Sequence, residues 1–202
     1  MRAVALFALG ILASPALAIA GQQSAANIAA IDSGEKCRVS LAEQDEARAL
    51  QWNEFDQVGE QAGSFRGLAE KGCPSAALAA YDDWLENGPG FPNARAKGIG
   101  TLHRAQLLAF IGRTKQARKL AAQAFRTPGS DDPHAEVWNI YLRGVLAFFD
   151  HDRQGIEFAQ SGLRKHPDDA FARRQIGVLQ GLRDCFERDY RTAMSSPCRK
   201  KR

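Results

Sequence analysis

The chain has 202 residues, 45% hydrophobic and 25% charged, the composition of one globular domain with room for a substantial core. Its net charge of +4 equals the four bases of the last four residues, Arg199, Lys200, Lys201 and Arg202, so the high isoelectric point reports a tail and not a basic fold. Beyond the N-terminus no stretch has the ~18 uninterrupted apolar residues that a spanning helix needs, which excludes one there.

Residues 1–20 read as a secretory signal. Arg2 supplies a positive start, Ala3 to Leu12 an apolar run, and Ala16-Leu17-Ala18 or Ala18-Ile19-Ala20 a small-x-small site, with cleavage expected after Ala18 or Ala20. No cysteine follows either site, so a lipid anchor is not expected. The mature protein is expected to be exported, to a bacterial periplasm. Residues 21–40 are polar and alanine-rich without a period and are expected to form a flexible lead-in. The helical domain is expected over 41–195, with 196–202 as a basic tail.

Export bears on the four cysteines, Cys37, Cys73, Cys185 and Cys198, because an oxidising compartment permits two disulfides. Three connectivities exist. The loop from Cys185 to Cys198 is the shortest to close, which leaves Cys37 with Cys73. That second pair conflicts with the helical spacing of Ala47, Leu50, Trp52, Phe55, Val58, Ala62, Phe65 and Leu68. A straight helix over Leu41 to Lys71 would hold its ends ~45 Å apart. Either that helix breaks or the pairing differs. Gly59, Gly63 and Gly67, four apart, read as a stripe that lets a neighbouring helix approach closely.

The remaining chain reads as helical hairpins. Gly72-Cys73-Pro74 ends the first long segment, Ser75 can cap the next helix, and Gly88-Pro89-Gly90 breaks it. Helices over Asn93 to Ile111 and Thr114 to Arg126 meet at Gly112-Arg113 and stop at Pro128-Gly129. Asp132 as N-cap and Pro133 at the first position predict a helix with Val137, Tyr141, Val145 and Phe148 on one face. A partner helix with Ile156, Ala159 and Leu163 follows, stopped by Pro167. Ala170 to Cys185 and a short helix around Phe186 to Met194 close the fold. The reading is all-α.

Laid over one another, the hairpins share a register: Gly72, Ala77, Tyr81, Trp84, Pro89; Gly112, Ala117, Ala121, Ala124, Pro128; Asp150, Gly155, Ala159, Gly162, Pro167. This resembles the tetratricopeptide repeat, with longer spacing than that family's ~34 residues. Leu68-Ala69-Glu70-Lys71-Gly72 running to Glu86-Asn87-Gly88-Pro89-Gly90 is similar to the Sel1-like repeat with about one extra residue. The resemblance covers roughly residues 61–194. It implies a right-handed superhelix of stacked antiparallel hairpins, a TPR-like α/α solenoid, and a curved surface that binds an envelope protein or peptide. Tyr141 and Arg143, on a first helix, are its candidate surface contacts.

Charge is segregated. Leu41 to Glu86 carries ten acids against three bases, and Asn87 to Ser130 carries no acid against eight bases: Arg95, Lys97, Arg104, Arg113, Lys115, Arg118, Lys119 and Arg126. Two readings of this block are open. It binds an anionic envelope ligand, or the acidic and basic hairpins neutralise each other through surface pairs worth ~0 to 1 kcal/mol each. Nucleic acid is not expected, since no aromatic residues interleave the bases.

No catalytic set, metal site or cofactor motif is expected. His103, His134, His151 and His166 lack metal-ligand spacing, and HExxH, GxSxG and GxxxxGKS/T are absent. Gly98-Ile99-Gly100 begins like a dinucleotide loop but lacks its third glycine and preceding strand. Asp150-His151-Asp152 reads as a turn with a cap. A hydrolase with an unrecognised site is the third reading, after a protein-binding module and an anion binder.

Overall fold

The computed structural model describes residues 34–129, 132–195 and 197–198. The expected signal segment, the lead-in up to residue 33 and the basic residues 199–202 lie outside the described residues. Among the described residues the chain is helical, with no strand and one isolated bridge between Gly129 and Asp132. A 3-10 turn (Glu35–Cys37) leads into α1 (Leu41–Ala49), a π turn (Asn53–Gln57) and α2 (Phe65–Glu70). Then come α3 (Pro74–Asn87), α4 (Ala94–Phe110), α5 (Thr114–Ala121) with a 3-10 turn (Ala122–Ala124), and α6 (Ala135–Phe149). The last helices are α7 (Arg153–Leu163), α8 (Ala170–Asp184) and α9 (Tyr190–Ala193). Neighbours pack in sequence: α2 on α3, α4 on α5, α6 on α7, and both α6 and α7 on α8.

Local chemistry sets most helix starts. Ser40 and Glu43 form a reciprocal capping box on α1. Asn93, Asp152, Asp169 and Asp189 accept the N–H three residues on, opening α4, α7, α8 and α9. Two expected caps differ. Helix α3 starts one residue past Cys73, at Pro74, so Ser75 lies inside it. Helix α6 starts at Ala135 after His134 without a side-chain cap, because Asp132 is drawn instead to Arg126, 3.2 Å away.

The three hairpin turns share one backbone pattern. The N–H groups of Cys73, Arg113 and Asp152 each bond the carbonyl five residues back, and Gly72, Gly112 and His151 all have φ between 54° and 79°. His151, and not Asp150, therefore stands where the other turns have glycine. The register at this hairpin shifts by one from the sequence reading. Ala77, Ala117 and Ile156 then occupy equivalent, fully buried positions.

The expected helix over Leu41 to Lys71 is broken. Leu50 is extended, with its carbonyl accepting from Trp84 Nε1 at 2.9 Å, and the chain turns back through Gly59 at φ +59°. A Cβ on Gly63 would sit 2.5 Å from the Glu43 carbonyl oxygen, and one on Gly67 2.4 Å from that of Gln61. These glycines serve close approaches of the segment to itself and not a stripe facing a neighbouring helix. The break brings Cys37 and Cys73 together at a Cα separation of 5.5 Å, so both disulfides form, Cys37–Cys73 and Cys185–Cys198. Residues 34–40, grouped above with the lead-in, are thereby tied to the core. Cys198, grouped with the tail, is buried.

Aromatic side chains cluster in the core. Phe55 stacks on Trp84 and meets Tyr81 edge-on near the N-terminal end. At the other end Tyr190 sits among Phe110, Phe148 and Phe149, and its hydroxyl accepts from Gln106 Nε2 at 3.0 Å. Helix α9 thus returns to α4, 84 positions earlier, a contact beyond nearest neighbours.

Candidate ligand-binding groove

Two cavities of about 500 and about 480 Å³ lie between α4 on one side and α6 and α8 on the other. They share Arg66, His103, Trp138, Phe171, Arg174 and Gln175, so they form one groove. A third hollow, about 670 Å³, joins it through Arg95 and Arg126. Met194, on the returning C-terminal segment, also lines the groove. A smaller cavity of about 230 Å³ beside Cys37 includes four alanines in its lining, and its Arg48 and Asp83 pair with each other at 3.0 Å.

Behind the groove the π turn places Asp56 fully inside the protein. Tyr81 donates its hydroxyl to Oδ2 at 2.7 Å, and His103 Nδ1 lies 2.8 Å from Oδ1. Arg66 Nε donates to the Asp56 carbonyl at 2.8 Å, and the Gln57 amide also meets the carboxylate. A buried carboxylate requires such partners, since leaving it bare costs several kcal/mol. Burial, then the Asp56 charge, pushes the Tyr81 phenol up, which keeps it a donor. His103 stacks on Phe65 and keeps 20% of its side chain exposed, on the groove. An imidazole held by a carboxylate at Nδ1 can exchange a proton at its other nitrogen. Neither cavity that His103 borders is lined by Ser, Thr or Cys.

The second centre is Arg126. Asn139 clamps its backbone at both ends, accepting from its N–H at 2.9 Å and donating to its carbonyl at 2.7 Å. The guanidinium lies 4.4 Å over the Trp138 ring, and Nη2 reaches the His134 carbonyl at 3.4 Å. The side chain is only 6% exposed; Nη1 pairs with Asp132 Oδ2 at 3.2 Å, and Nε finds no hydrogen-bond acceptor among the described residues. Burial pushes its pKa down to about 10, opposed by Asp132 and reinforced by Arg95. Across the groove, His134 meets Asp169 at 3.1 Å. The N–H of Ala172, with His134 adding, holds that carboxyl below its ordinary value.

The eight bases of the Arg95 to Arg126 block do not converge. Arg95 and Arg126 line the groove. Arg104 pairs with Asp82 at 2.6 Å, and Arg118 with both oxygens of Asp150 at 2.9 Å. Lys97, Arg113, Lys115 and Lys119 are exposed elsewhere. Of the candidate surface contacts, Tyr141 is buried against Trp138 and Phe171 while bordering the groove. Arg143 is exposed, 6.0 Å over Phe125, and does not border it. Asp150 and Asp152 are spent on Arg118 and on capping α7, and no metal-binding cluster occurs among the described residues. The sequence reading missed Asp56, Arg66, His103, Trp138, Phe171 and Arg174. A trace existed in Gly98 and Gly100. A Cβ on Gly98 would lie 2.9 Å from Arg126 Cγ, and one on Gly100 2.3 Å from the Tyr81 hydroxyl.

Comparisons with protein-family models, with curated proteins and with solved structures found no match.

Proposed function

We propose that this is an exported, TPR-like module of stacked hairpins that holds a segment of another envelope protein in the groove between α4, α6 and α8, without chemistry of its own. The observation that carries the reading is the groove itself: continuous, open, and lined by aromatic, amide and arginine side chains. The two disulfides support an oxidising compartment, and no helix among the described residues is long and apolar enough to cross a membrane. The shared turn geometry at Gly72, Gly112 and His151 supports the repeat reading. A photo-cross-linking residue at Gln175, with one at Lys119 as control, tests it in intact cells. A polypeptide adduct specific to Gln175 supports the reading, and adducts absent from Gln175 or equal at both positions overturn it.

The Asp56–His103 pair favours a second reading, hydrolysis by an activated water. Turnover of envelope extracts that disappears in His103→Ala, with the fold intact by circular dichroism, would establish it in place of the first.

A further inference from the structure

We infer that the segment the groove takes is acidic, a stretch of polypeptide carrying Glu or Asp side chains, recognised by Arg95, Arg126 and Arg174. This rests on the proposed peptide-binding role and names the chemistry of the partner. The groove brings four arginines, counting Arg66, onto one surface from four separate parts of the chain. Its own acids do not balance them. Asp132 pairs with Arg126, and Asp169 is engaged by the Ala172 N–H and His134, which leaves Asp168. Arg66 leans on Asp56, but Arg95 and Arg174 are exposed and form no ion pair among the described residues.

Arg126 lies beside them in the groove. Its side chain is more than nine-tenths buried, fixed by Asn139 and Trp138; Nη1 pairs with Asp132 at 3.2 Å, and Nε keeps no acceptor where the groove and the α4 hollow meet. Its positive charge adds to that of Arg95 and Arg174 beside it, and attraction for a carboxylate is larger where water is partly excluded. Gln175 and Gln106, which border the groove, can each donate to and accept from a peptide backbone. Trp138 stacks on Phe171 and lies under Arg126, so the pair does not offer the separate flat platform on which a sugar ring sits. These features favour an acidic peptide over an acidic polysaccharide.

Fluorescence anisotropy with the oxidised chain tests the inference. The probes are an end-labelled Glu-rich peptide, its Gln counterpart of equal length, and a sulfated polysaccharide as competitor. The Glu peptide is expected to bind more tightly than the Gln peptide, and Arg95→Glu with Arg174→Glu to weaken it about tenfold or more. Lys115→Glu with Lys119→Glu, an equal charge change outside the groove, is expected to leave it unchanged. All four sites are exposed, and circular dichroism confirms the fold of each variant. Equal weakening by both double variants, or tighter binding of the polysaccharide with the same Arg95 and Arg174 dependence, overturns the inference. Equal binding of Gln and Glu peptides also overturns it, while leaving the peptide-binding role standing. No Glu-peptide binding together with a Gln175-specific cross-link has the same meaning, whereas loss of the cross-link removes the role itself.

Discussion

His103 Nδ1 lies 2.8 Å from the fully buried Oδ1 of Asp56, 47 positions away in the chain. That pair, with Tyr81 on the second oxygen and Arg66 on the carbonyl, ties the N-terminal segment to α3 and α4 and fixes one wall of the groove. Removing the carboxylate leaves the Tyr81 hydroxyl buried without its acceptor. Asp56→Ala is therefore expected to lose about 3–5 kcal/mol, and Asp56→Asn less, because an amide oxygen still accepts from Tyr81. Urea unfolding midpoints check both.

Glycine substitutions should separate by what surrounds them. A Cβ on Gly144 would lie 2.7 Å from Leu179 and 3.0 Å from Ala159, and one on Gly100 2.5 Å from Phe91. Gly144→Ala and Gly100→Ala are each expected to cost about 1–3 kcal/mol through overpacking. Gly177, inside α8 with nothing within 4 Å, should gain about 0.5–1 kcal/mol as alanine. Thermal melts of the three variants give opposite signs if this packing holds.

The Cys185–Cys198 bridge spans 13 positions and holds the loop that carries Tyr190 back to α4. Replacing both cysteines by serine is expected to cost roughly 3 kcal/mol. Limited trypsin digestion should then cut first at Arg188 or Arg191, as α9 detaches from Gln106 and Phe110. Cleavage beginning elsewhere would show that the bridge does not hold this segment.

Stability should fall in acid. The Arg48 side chain holds the Asp83 carboxyl below its ordinary value, the Ala172 N–H does so for Asp169, and the Ser40 N–H for Glu43. A carboxyl depressed in the folded state contributes stability above its unfolded pKa and loses it as pH falls through the folded one. The loss is therefore expected below about pH 4. Asp169→Asn should flatten the decline in unfolding midpoint between about pH 4 and about pH 2, and an unchanged slope would remove Asp169 from the account.

The sequence by itself determined what short-range chemistry sets. Gly72 and Gly112 ended helices because φ of +74° and +79° suits glycine, Asn93 and Asp152 opened them by accepting nearby N–H groups, and the short Cys185–Cys198 loop made its bridge easy to foresee. The tertiary structure alone decided the break after Ala49, the diversion of Asp132 from capping to Arg126, the aim of Arg126 and the return of α9. A helical period between Leu41 and Lys71 could not reveal that Leu50 bonds Trp84, nor could the basic run reveal that Asn139 turns Arg126 into the groove while Arg118 joins Asp150. Spacing within a segment encodes a helix face. The groove instead depends on buried groups from distant segments finding one another, because each would be costly to bury alone.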